Sequence, residues 1–260
     1  MKHFFLSCWL LLFLVTVCAA QLHVTPRLIP FRQGSQWGYA DQQRHLVLPL
    51  RYDEAGPFVD ELAWVRKGTH YGYIDGAGNP VTSVQFTRAG NFHLNRATVE
   101  LNGETFDIGP GGRRLVEPAP EEPETDYLEQ GDLVRKNGKV GFRFSVGQAT
   151  IPAEYDEIRD NYNGLLFVRQ GQQWGVINSA GNLVQPVQFD NIQTIANNGD
   201  VLLLPIVAKG GRYGYLDEQG QILVEPQYRE AAPFVAGVAR VVTQAGQPGY
   251  INTNGVEFFE

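Results

Sequence analysis

The residues best suited to chemistry in this sequence are two acidic pairs, Asp53-Glu54 and Asp156-Glu157. Two carboxylates that flank one glycosidic bond are what glycoside hydrolysis requires, so the pairs raise the question of a carbohydrate-active enzyme. Each pair follows a tyrosine, however, and Phe189-Asp190 stands at the corresponding place further along the chain. Residues that recur in register tend to serve the repeated structure, by capping a turn or bonding a backbone amide. We therefore expect these carboxylates to be structural and the protein not to be an enzyme.

Motifs for other kinds of catalysis and for metal binding are missing from the sequence. No Gly-x-Ser-x-Gly elbow and no glycine-rich phosphate loop before a helix is present. The histidines beyond residue 20 are not at metal-ligand spacing, and no cysteine can join them. They are His23, His45, His70 and His93. The sequence thus predicts no catalytic residue, no metal and no cofactor, and it leaves any binding residues unknown.

The first 20 residues have the pattern of a secretory signal peptide. Lys2 gives a positive start, residues 4–17 are mainly apolar, and Cys18-Ala19-Ala20 is a small-residue end before Gln21. The apolar run is too short and wrongly flanked for a membrane-spanning helix. We predict cleavage near Ala20 and export to the periplasm, the cell envelope or the outside. Lipidation at Cys18 is the open alternative, although the small residue expected just before a lipidated cysteine is missing.

The predicted mature chain, residues 21–260, has no cysteine, because Cys8 and Cys18 both lie in the leader. Disulfides and thiol chemistry are therefore excluded. The mature chain has 20 basic and 28 acidic side chains, a net charge of −8. This charge argues against nucleic acid and anionic membrane surfaces as partners. No other long apolar stretch occurs, so we expect no transmembrane segment in the mature chain.

A dipeptide of one bulky residue and glycine recurs along the chain at a nearly fixed interval. One interval is twice as long as the others, and a degenerate copy of the repeat centred on Phe106 divides it into two. A period near 34 residues identifies a tandem-repeat protein. The anchor glycines are Gly38, Gly72, Gly141, Gly175, Gly214 and Gly249, with steps of 34, 69, 34, 39 and 35 residues.

Within each unit the apolar pattern alternates with period 2, which is typical of strands. One run precedes the anchor, a second contains it, and a turn with Asp or Asn first and Gly fourth follows, as at Asp75 and Gly78. A third run is expected to end at a proline such as Pro226, because proline cannot donate to a ladder. Each unit is therefore predicted to be a three-stranded antiparallel meander. A longer connection carries the Tyr-Asp-Glu and Ala-Gly-Pro-Phe landmarks (52–58).

Three short strands cannot bury a core alone, so neighbouring units must stack. The anchor glycine suits close approach by another backbone or ring. The bulky residue before it should pack between units, with ligand stacking as the alternative. These residues are Trp37, Tyr71, Trp174 and Tyr213.

We predict an all-β fold of about seven tandem ~34-residue units stacked in an open, solenoid-like array from about residue 28 to 260. The alternative is a closed, propeller-like ring in which the strand at 28–32 completes the last unit.

Two stretches break the pattern. Residues 117–126 are acidic and rich in proline, which favours a solvated loop, with a hinge or a weak cation site as alternatives. Residues 197–200 belong to an insertion that lengthens one step to 39 residues. Insertions within a repeat often map to a binding face, so this loop is a candidate contact surface.

The recurring landmarks resemble the bacterial WG-repeat family, also called KWG repeats. The matching elements include residues 36–39, 71–75, 173–178 and 213–217, and the resemblance covers nearly the whole mature chain. It implies an all-β repeat module of an exported or envelope-associated protein. It carries no catalytic residue over to this chain.

Export, repetition and missing active-site motifs favour a secreted or periplasmic, non-enzymatic module for binding or scaffolding, with a protein or glycan partner. The alternative is a propeller-type carbohydrate-active enzyme or lectin that uses Trp64 or the anchor tryptophans as sugar platforms. A purely structural envelope component is a third possibility.

Overall fold

The computed structural model describes most of the chain beyond the predicted leader. The predicted signal peptide, His23, the acidic stretch 117–126 and the loop at 197–200 lie outside the described residues. Those residues are 26–116, 131–144, 150–160, 164–193, 201–202 and 204–260.

Strands form seven antiparallel sheets in this part of the chain, which we number in chain order. The first sheet contains β1 (Ile29–Gln33), β2 (Gln36–Ala40) and β3 (Leu46–Tyr52). The second contains β4 (Glu54–Ala55), β5 (Leu62–Lys67) and β6 (His70–Asp75). The third contains β7 (Arg88–Ala89), β8 (Ala97–Leu101) and β9 (Glu104–Ile108). The fourth contains β10 (Gly131–Lys136), β11 (Lys139–Phe144) and β12 (Thr150–Tyr155).

The other three sheets have four strands each. The fifth contains β13 (Glu157–Asp160), β14 (Leu165–Gln170), β15 (Gln173–Asn178) and β16 (Leu183–Phe189). The sixth contains β17 (Asn191–Gln193), β19 (Ile206–Lys209), β20 (Arg212–Leu216) and β21 (Ile222–Tyr228). The seventh contains β18 (Val201–Leu202), β22 (Glu230–Val235), β23 (Val238–Val242) and β24 (Pro248–Asn252).

The all-β prediction is confirmed, because no helix occurs among the residues that the structure describes. That part of the chain accordingly has no helix of the length and apolarity needed to cross a bilayer. The three-stranded unit needs a correction. The Tyr-Asp-Glu connection is itself a short strand in several units, as in β4, β13 and β17, and pairs with the long strand that follows it. The sequence pattern did not predict these short strands, because their polar residues mask the alternation of apolar and polar side chains.

In several units the third run continues through its proline. Pro49 lies inside β3, and Pro186 and Pro226 lie inside β16 and β21. These strands pair with only one neighbour in their sheets, so an edge strand can accommodate proline's missing N–H. The register shifts beside each proline, as between Trp37 and Tyr39 opposite β3.

The shifted strand crosses directly over the anchor glycine. A Cβ placed on Gly38, Gly141 or Gly214 would overlap a carbonyl oxygen of that strand. The predicted close approach at the anchor glycines is therefore confirmed. It also explains the bulge, because the third strand must step around this contact.

The predicted Asx turns are confirmed as well. The Asp75 carboxylate accepts bonds from the amides of Ala77 and Asn79 at 3.0 and 2.8 Å. Gly78 then closes the turn at a φ of +82°, a conformation that glycine adopts without strain. The same arrangement begins at Asn178, Asp217 and Asn252.

The core lies between sheets. Among the described residues, five apolar clusters each combine buried side chains from neighbouring sheets, as where Tyr73 of the second sheet meets Phe92 at the third. Further clusters join the fourth to the fifth sheet, the fifth to the sixth and the sixth to the seventh. Stacking, rather than any single unit, therefore supplies the buried apolar surface.

The first and last sheets contact each other. Val238, Tyr250 and Phe258 share one apolar cluster with Trp37 and the rest of the first sheet. The Arg32 amide donates to Phe258 O at 3.2 Å, and the Glu260 amide donates to Arg32 O at 3.0 Å. The open array would leave these end faces apart, so the predicted solenoid-like arrangement is not confirmed. The contact is the one expected of the ring-like alternative, in which residues 28–32 complete the last unit.

The anchor contact gives a direct prediction. Gly214→Ala should reduce the free energy of unfolding by about 1–3 kcal/mol, because the new methyl group overlaps backbone atoms that cannot move aside. Gly76→Ala is the matched control, since nothing lies within 4 Å of its added Cβ. Urea unfolding monitored by tryptophan fluorescence measures both. Equal effects of the two substitutions would contradict the role assigned to the anchor glycine.

Candidate functional site

The aspartates of the acidic pairs hold neighbouring units together. The Asp53 amide donates to Arg66 O at 2.9 Å, and its carboxylate accepts from the Gly68 amide at 2.6 Å. Asp156 bonds Arg169 O and the Gly171 amide in the same way, at 2.8 and 2.7 Å. Asp190 does so with Ala208 O and the Gly210 amide, at 2.8 and 2.6 Å. The expectation that these carboxylates cap turns is confirmed.

The glutamates of the pairs bind arginines. Glu54 accepts from Arg66 Nε at 3.2 Å and from Arg240 Nη2 of the seventh sheet at 3.4 Å. Glu157 accepts from Arg159 Nε at 2.7 Å and Arg169 Nε at 3.0 Å. Each glutamate therefore sits between two guanidinium groups.

These contacts disfavour acid–base chemistry at the fifth sheet. Arg159, then Arg169, lower the pKa of the Glu157 carboxyl, while burial opposes them. The pKa of Asp156 is lowered by its bonds to Lys139 and to the Gly171 amide. A glycosidase general acid needs a raised pKa so that it is protonated near neutral pH. Both carboxyl groups here are held ionised, which suits ion pairing and turn capping.

The anchor tryptophans are buried against other side chains rather than exposed to solvent. Trp37 is buried and meets the ring of Tyr250 edge-on, with centroids 5.8 Å apart. Trp174 is buried below the guanidinium of Arg159, 4.2 Å from the ring centre. Tyr71 and Tyr213 are half-buried against apolar clusters. The packing role predicted for these residues is confirmed for both tryptophans.

Trp64, the candidate sugar platform, joins two landmark stretches. Its ring covers Gly56, and its Nε1 donates to Asn91 Oδ1 at 2.9 Å. It also contacts Tyr71 edge-on at 5.7 Å between centroids. Every aromatic side chain among the described residues is buried or half-buried.

A recurring tyrosine clamp was missed at the sequence level. Two residues after the anchor aromatic, a tyrosine of one unit donates its hydroxyl to a carbonyl 17 residues later, in the landmark stretch of the next unit. Its ring also packs on the phenylalanine of that stretch at 4.8–5.0 Å. The constant separation in sequence was the available signal. The bonds are Tyr39 to Gly56 at 3.0 Å, Tyr73 to Gly90 at 2.7 Å and Tyr215 to Ala232 at 2.8 Å.

The histidines have separate local roles. His45 Nδ1 lies 3.1 Å from Asp41 Oδ2 in a turn, and His70 contacts the Thr69 hydroxyl at 3.1 Å. His93 forms a backbone bridge with Arg96. Within the described ranges no three His, Cys, Asp or Glu side chains form a potential metal group.

An open groove of about 300 Å³ lies along the third sheet. Arg88, Gly90, Val99 and Glu100 are among its lining residues. Glu100 Oε1 accepts from the Thr87 hydroxyl at 3.0 Å. The groove therefore contains one pair of oppositely charged residues, Arg88 and Glu100, and its Gly90 belongs to a landmark stretch, whereas the acidic pairs do not line it.

Comparison with protein families identifies the repeat. The model described as "WG containing repeat" matches the chain five times. The chain belongs to this family. Together the matches span more than half of the sequence, and they begin at or near the anchor dipeptides. They cover residues 37–68, 71–104, 147–174, 174–206 and 213–244.

No curated protein matches the sequence. Three solved structures overlap with this WG-repeat protein at low similarity. One is titled a crystal structure of the eukaryotic initiation factor (13% identity, TM-score 0.30, 89% of this chain and 72% of that one). The second is KlHsv2 with a loop replaced by a Gly-Ser linker (11%, 0.26, 76% and 61%). The third is the extracellular domain of a putative hybrid two-component system from B. thetaiotaomicron (10%, 0.22, 90% and 44%).

The tyrosine clamp can be tested by removing one oxygen. Tyr73→Phe should reduce the free energy of unfolding by about 1–2 kcal/mol, because it deletes the bond and leaves Gly90 O without its donor. Tyr71→Phe is the control, since its half-buried hydroxyl makes no such bond. Denaturant unfolding of both variants gives the comparison. A loss for Tyr71→Phe as large as that for Tyr73→Phe would contradict the clamp.

Proposed function

We propose that this WG-repeat protein is an exported, non-enzymatic module that binds a protein partner through the exposed surface of its repeats. The observation that carries the proposal is the use of every candidate catalytic carboxylate pair inside the repeat structure. Asp53 and Asp156 cap turns, and Glu54 and Glu157 bind arginines. The side chains best suited to chemistry thus stabilise the contacts between units, as expected of a scaffold.

The exposed apolar side chains support a protein partner more than a glycan. Leu46 and Val47 on β3 are 49% and 51% exposed, and Leu183 on β16 is 50% exposed. Leu46 and Leu183 stand at the same place in their units, nine residues after Trp37 and Trp174. Aliphatic side chains repeated along edge strands suit another polypeptide, whereas sugar rings prefer aromatic faces.

The sheets themselves would form a closed ring in this proposal. One backbone bond runs from the residue that ends a unit to the first long strand of the next sheet. It recurs at six junctions among the described residues, and one of them joins Glu260 to Arg32. A closed ring has no free end face, so its edge strands become the surface available to a partner. The carbohydrate-active alternative would instead need an aromatic platform or a pair of free carboxylates.

Photo-crosslinking tests the binding surface. A benzoyl-phenylalanine at Leu46 or Leu183 should crosslink one discrete partner in cells of the source, because both positions lie on the proposed contact row. Leu94, 54% exposed and outside that row, is the matched control position and should give no such product. Equal products from all three positions would contradict a specific surface. Hydrolysis of a glycan by purified protein that disappears in Glu157→Gln would favour the enzyme instead.

Export has its own test. The secreted or periplasmic location proposed here requires removal of the leader, so the purified protein should begin at Gln21. Intact-mass spectrometry of material from the envelope and from the medium measures this directly. A protein that retains residues 1–20 in the cytoplasm contradicts export, and a lipid-modified Cys18 would replace soluble export by anchoring.

A further inference from the structure

The second and third sheets have the same backbone arrangement around one glycine of the landmark stretch. In the second sheet the Gly56 amide donates to Trp64 O at 2.9 Å, and in the third the Gly90 amide donates to Thr98 O at 2.9 Å. The carbonyl oxygens of both glycines accept a clamp hydroxyl from the preceding unit. The two sheets therefore hold these glycines in the same way.

The two sheets differ in what lies over the glycine. A Cβ placed on Gly56 would stand 2.3 Å from Cε2 and Nε1 of Trp64, so the indole ring lies directly on that glycine. A Cβ placed on Gly90 would meet only Thr98 O within 4 Å, at 3.4 Å. The place that the indole takes in the second sheet is thus open in the third.

The groove on the third sheet contains this open place. Thr105 stands at the register position of Tyr71, the residue that contacts Trp64 edge-on in the second sheet. Two aromatic residues are therefore replaced by threonines. Gly90, Thr98 and Thr105 all line the groove, whose volume is about 300 Å³. This volume is at the lower end of the range for small-ligand sites, which suits a single ring system.

Apolar side chains of the next sheet do not cover the groove in the part of the chain that the structure describes. Trp64 and Tyr71 pack against an apolar cluster shared with the third sheet, whereas no cluster of described residues joins the third sheet to the fourth. Thr98 and Thr105 are exposed. The Thr98 hydroxyl donates to Asp107 Oδ1 at 2.7 Å, so its hydrogen bond is made within the sheet.

Arg88 lies beside the groove and is able to cover a bound ring. Its side chain is 83% exposed, and its Nη1 is 3.9 Å from Glu100 Oε2. Arginines lie over aromatic rings elsewhere in this protein, as where the Cζ of Arg159 is 4.2 Å from the ring centre of Trp174. A guanidinium in that position is attracted to the negative face of the ring.

We propose that this groove is a binding site for an indole-type aromatic ring. The ring lies on Gly90 as the indole of Trp64 lies on Gly56, and Arg88 covers its outer face. A small aromatic compound or a tryptophan side chain of a polypeptide supplies the ring. The site goes beyond the proposed function, because it does not involve the exposed aliphatic residues of the edge strands, and its test is independent of crosslinking there.

Binding of 5-fluoroindole to the processed protein tests the site, with fluorine NMR of the ligand as the readout. Titration should give saturable binding with a Kd on the order of 1 mM, as expected of a small ring in an open groove. Arg88→Gln should weaken binding roughly threefold, because the cation–π contact is lost. Absence of saturable binding to the wild-type protein overturns the proposal.

Two substitutions place protein atoms where the ring must lie. Gly90→Ala should fold, because its Cβ makes an ordinary contact in the free protein, and it should weaken binding roughly tenfold or more. Thr98→Trp rebuilds the arrangement of the second sheet and should abolish binding. Gly76→Ala and Thr98→Ser are the matched controls and should bind as the wild type does, with circular dichroism to verify folding. Wild-type affinity in Gly90→Ala, or an equal loss in Gly76→Ala, overturns the proposal.

The same assay distinguishes the two sources of the ring. The probe for a polypeptide is the peptide acetyl-Gly-Trp-Gly-amide, used in competition with 5-fluoroindole. A peptide that binds at least as tightly as indole assigns the site to a tryptophan of a polypeptide. A peptide that binds less tightly than indole assigns it to a small aromatic compound, because the groove then excludes the flanking backbone.

Discussion

The structure depends on one backbone hydrogen bond between successive units. The amide that ends one unit donates to a carbonyl on the first long strand of the next, as Asp53 does to Arg66. Units of three or four short strands cannot bury a core by themselves, so this bond fixes how neighbouring faces meet. The apolar clusters then form between sheets, where Tyr73 meets Phe92 and Tyr215 meets Phe234. Stability is therefore a sum over junctions, as expected of repeat proteins.

The charged groups follow from the same constraint. An aspartate at the unit boundary lies beside the glycine turn of the next hairpin, and the following glutamate lies beside an arginine on the adjacent strand. Asp156 and Glu157 show both contacts, with Gly171 and Arg169. Hydrogen bonds to Lys139 and Arg159 lower the pKa values of Asp156 and Glu157, respectively, which favours ion pairing over acid catalysis at this junction. The contacts of Asp156 with Gly171 and of Glu157 with Arg169 thus give this acidic pair a structural role.

Membership of the WG-repeat family agrees with this design, because the matched segments begin at or near the anchor dipeptides that fix the junctions. The glycine of the dipeptide is required by the strand that crosses it, and the aromatic residue before it fills the space beside that strand. The half-exposed aliphatic residues of the edge strands, such as Leu46 and Leu183, lie outside these anchor positions.

Much of the fold was determined by the sequence alone. The alternation of side chains, the Asx turns and the period of the anchor glycines are local features, and they predicted strands, hairpins and stacking correctly. The capping role of Asp53 followed from recurrence in register. The strand character of the acidic connections was missed, since their polar residues hide the alternation. So was the continuation of β3 through Pro49, which depends on that strand having one partner rather than two.

Only the tertiary structure decided how the two ends of the array relate. Open and ring-like arrangements contain the same units with the same local signals, and they differ in whether residue 32 meets residue 259. That contact joins positions at opposite ends of the chain, so no local pattern encodes it. The tyrosine clamps have a constant separation in sequence, but only the structure shows which carbonyl a neighbouring unit brings within reach of each hydroxyl. The sequence period determines the structure of each unit, whereas packing between units determines how the units are arranged.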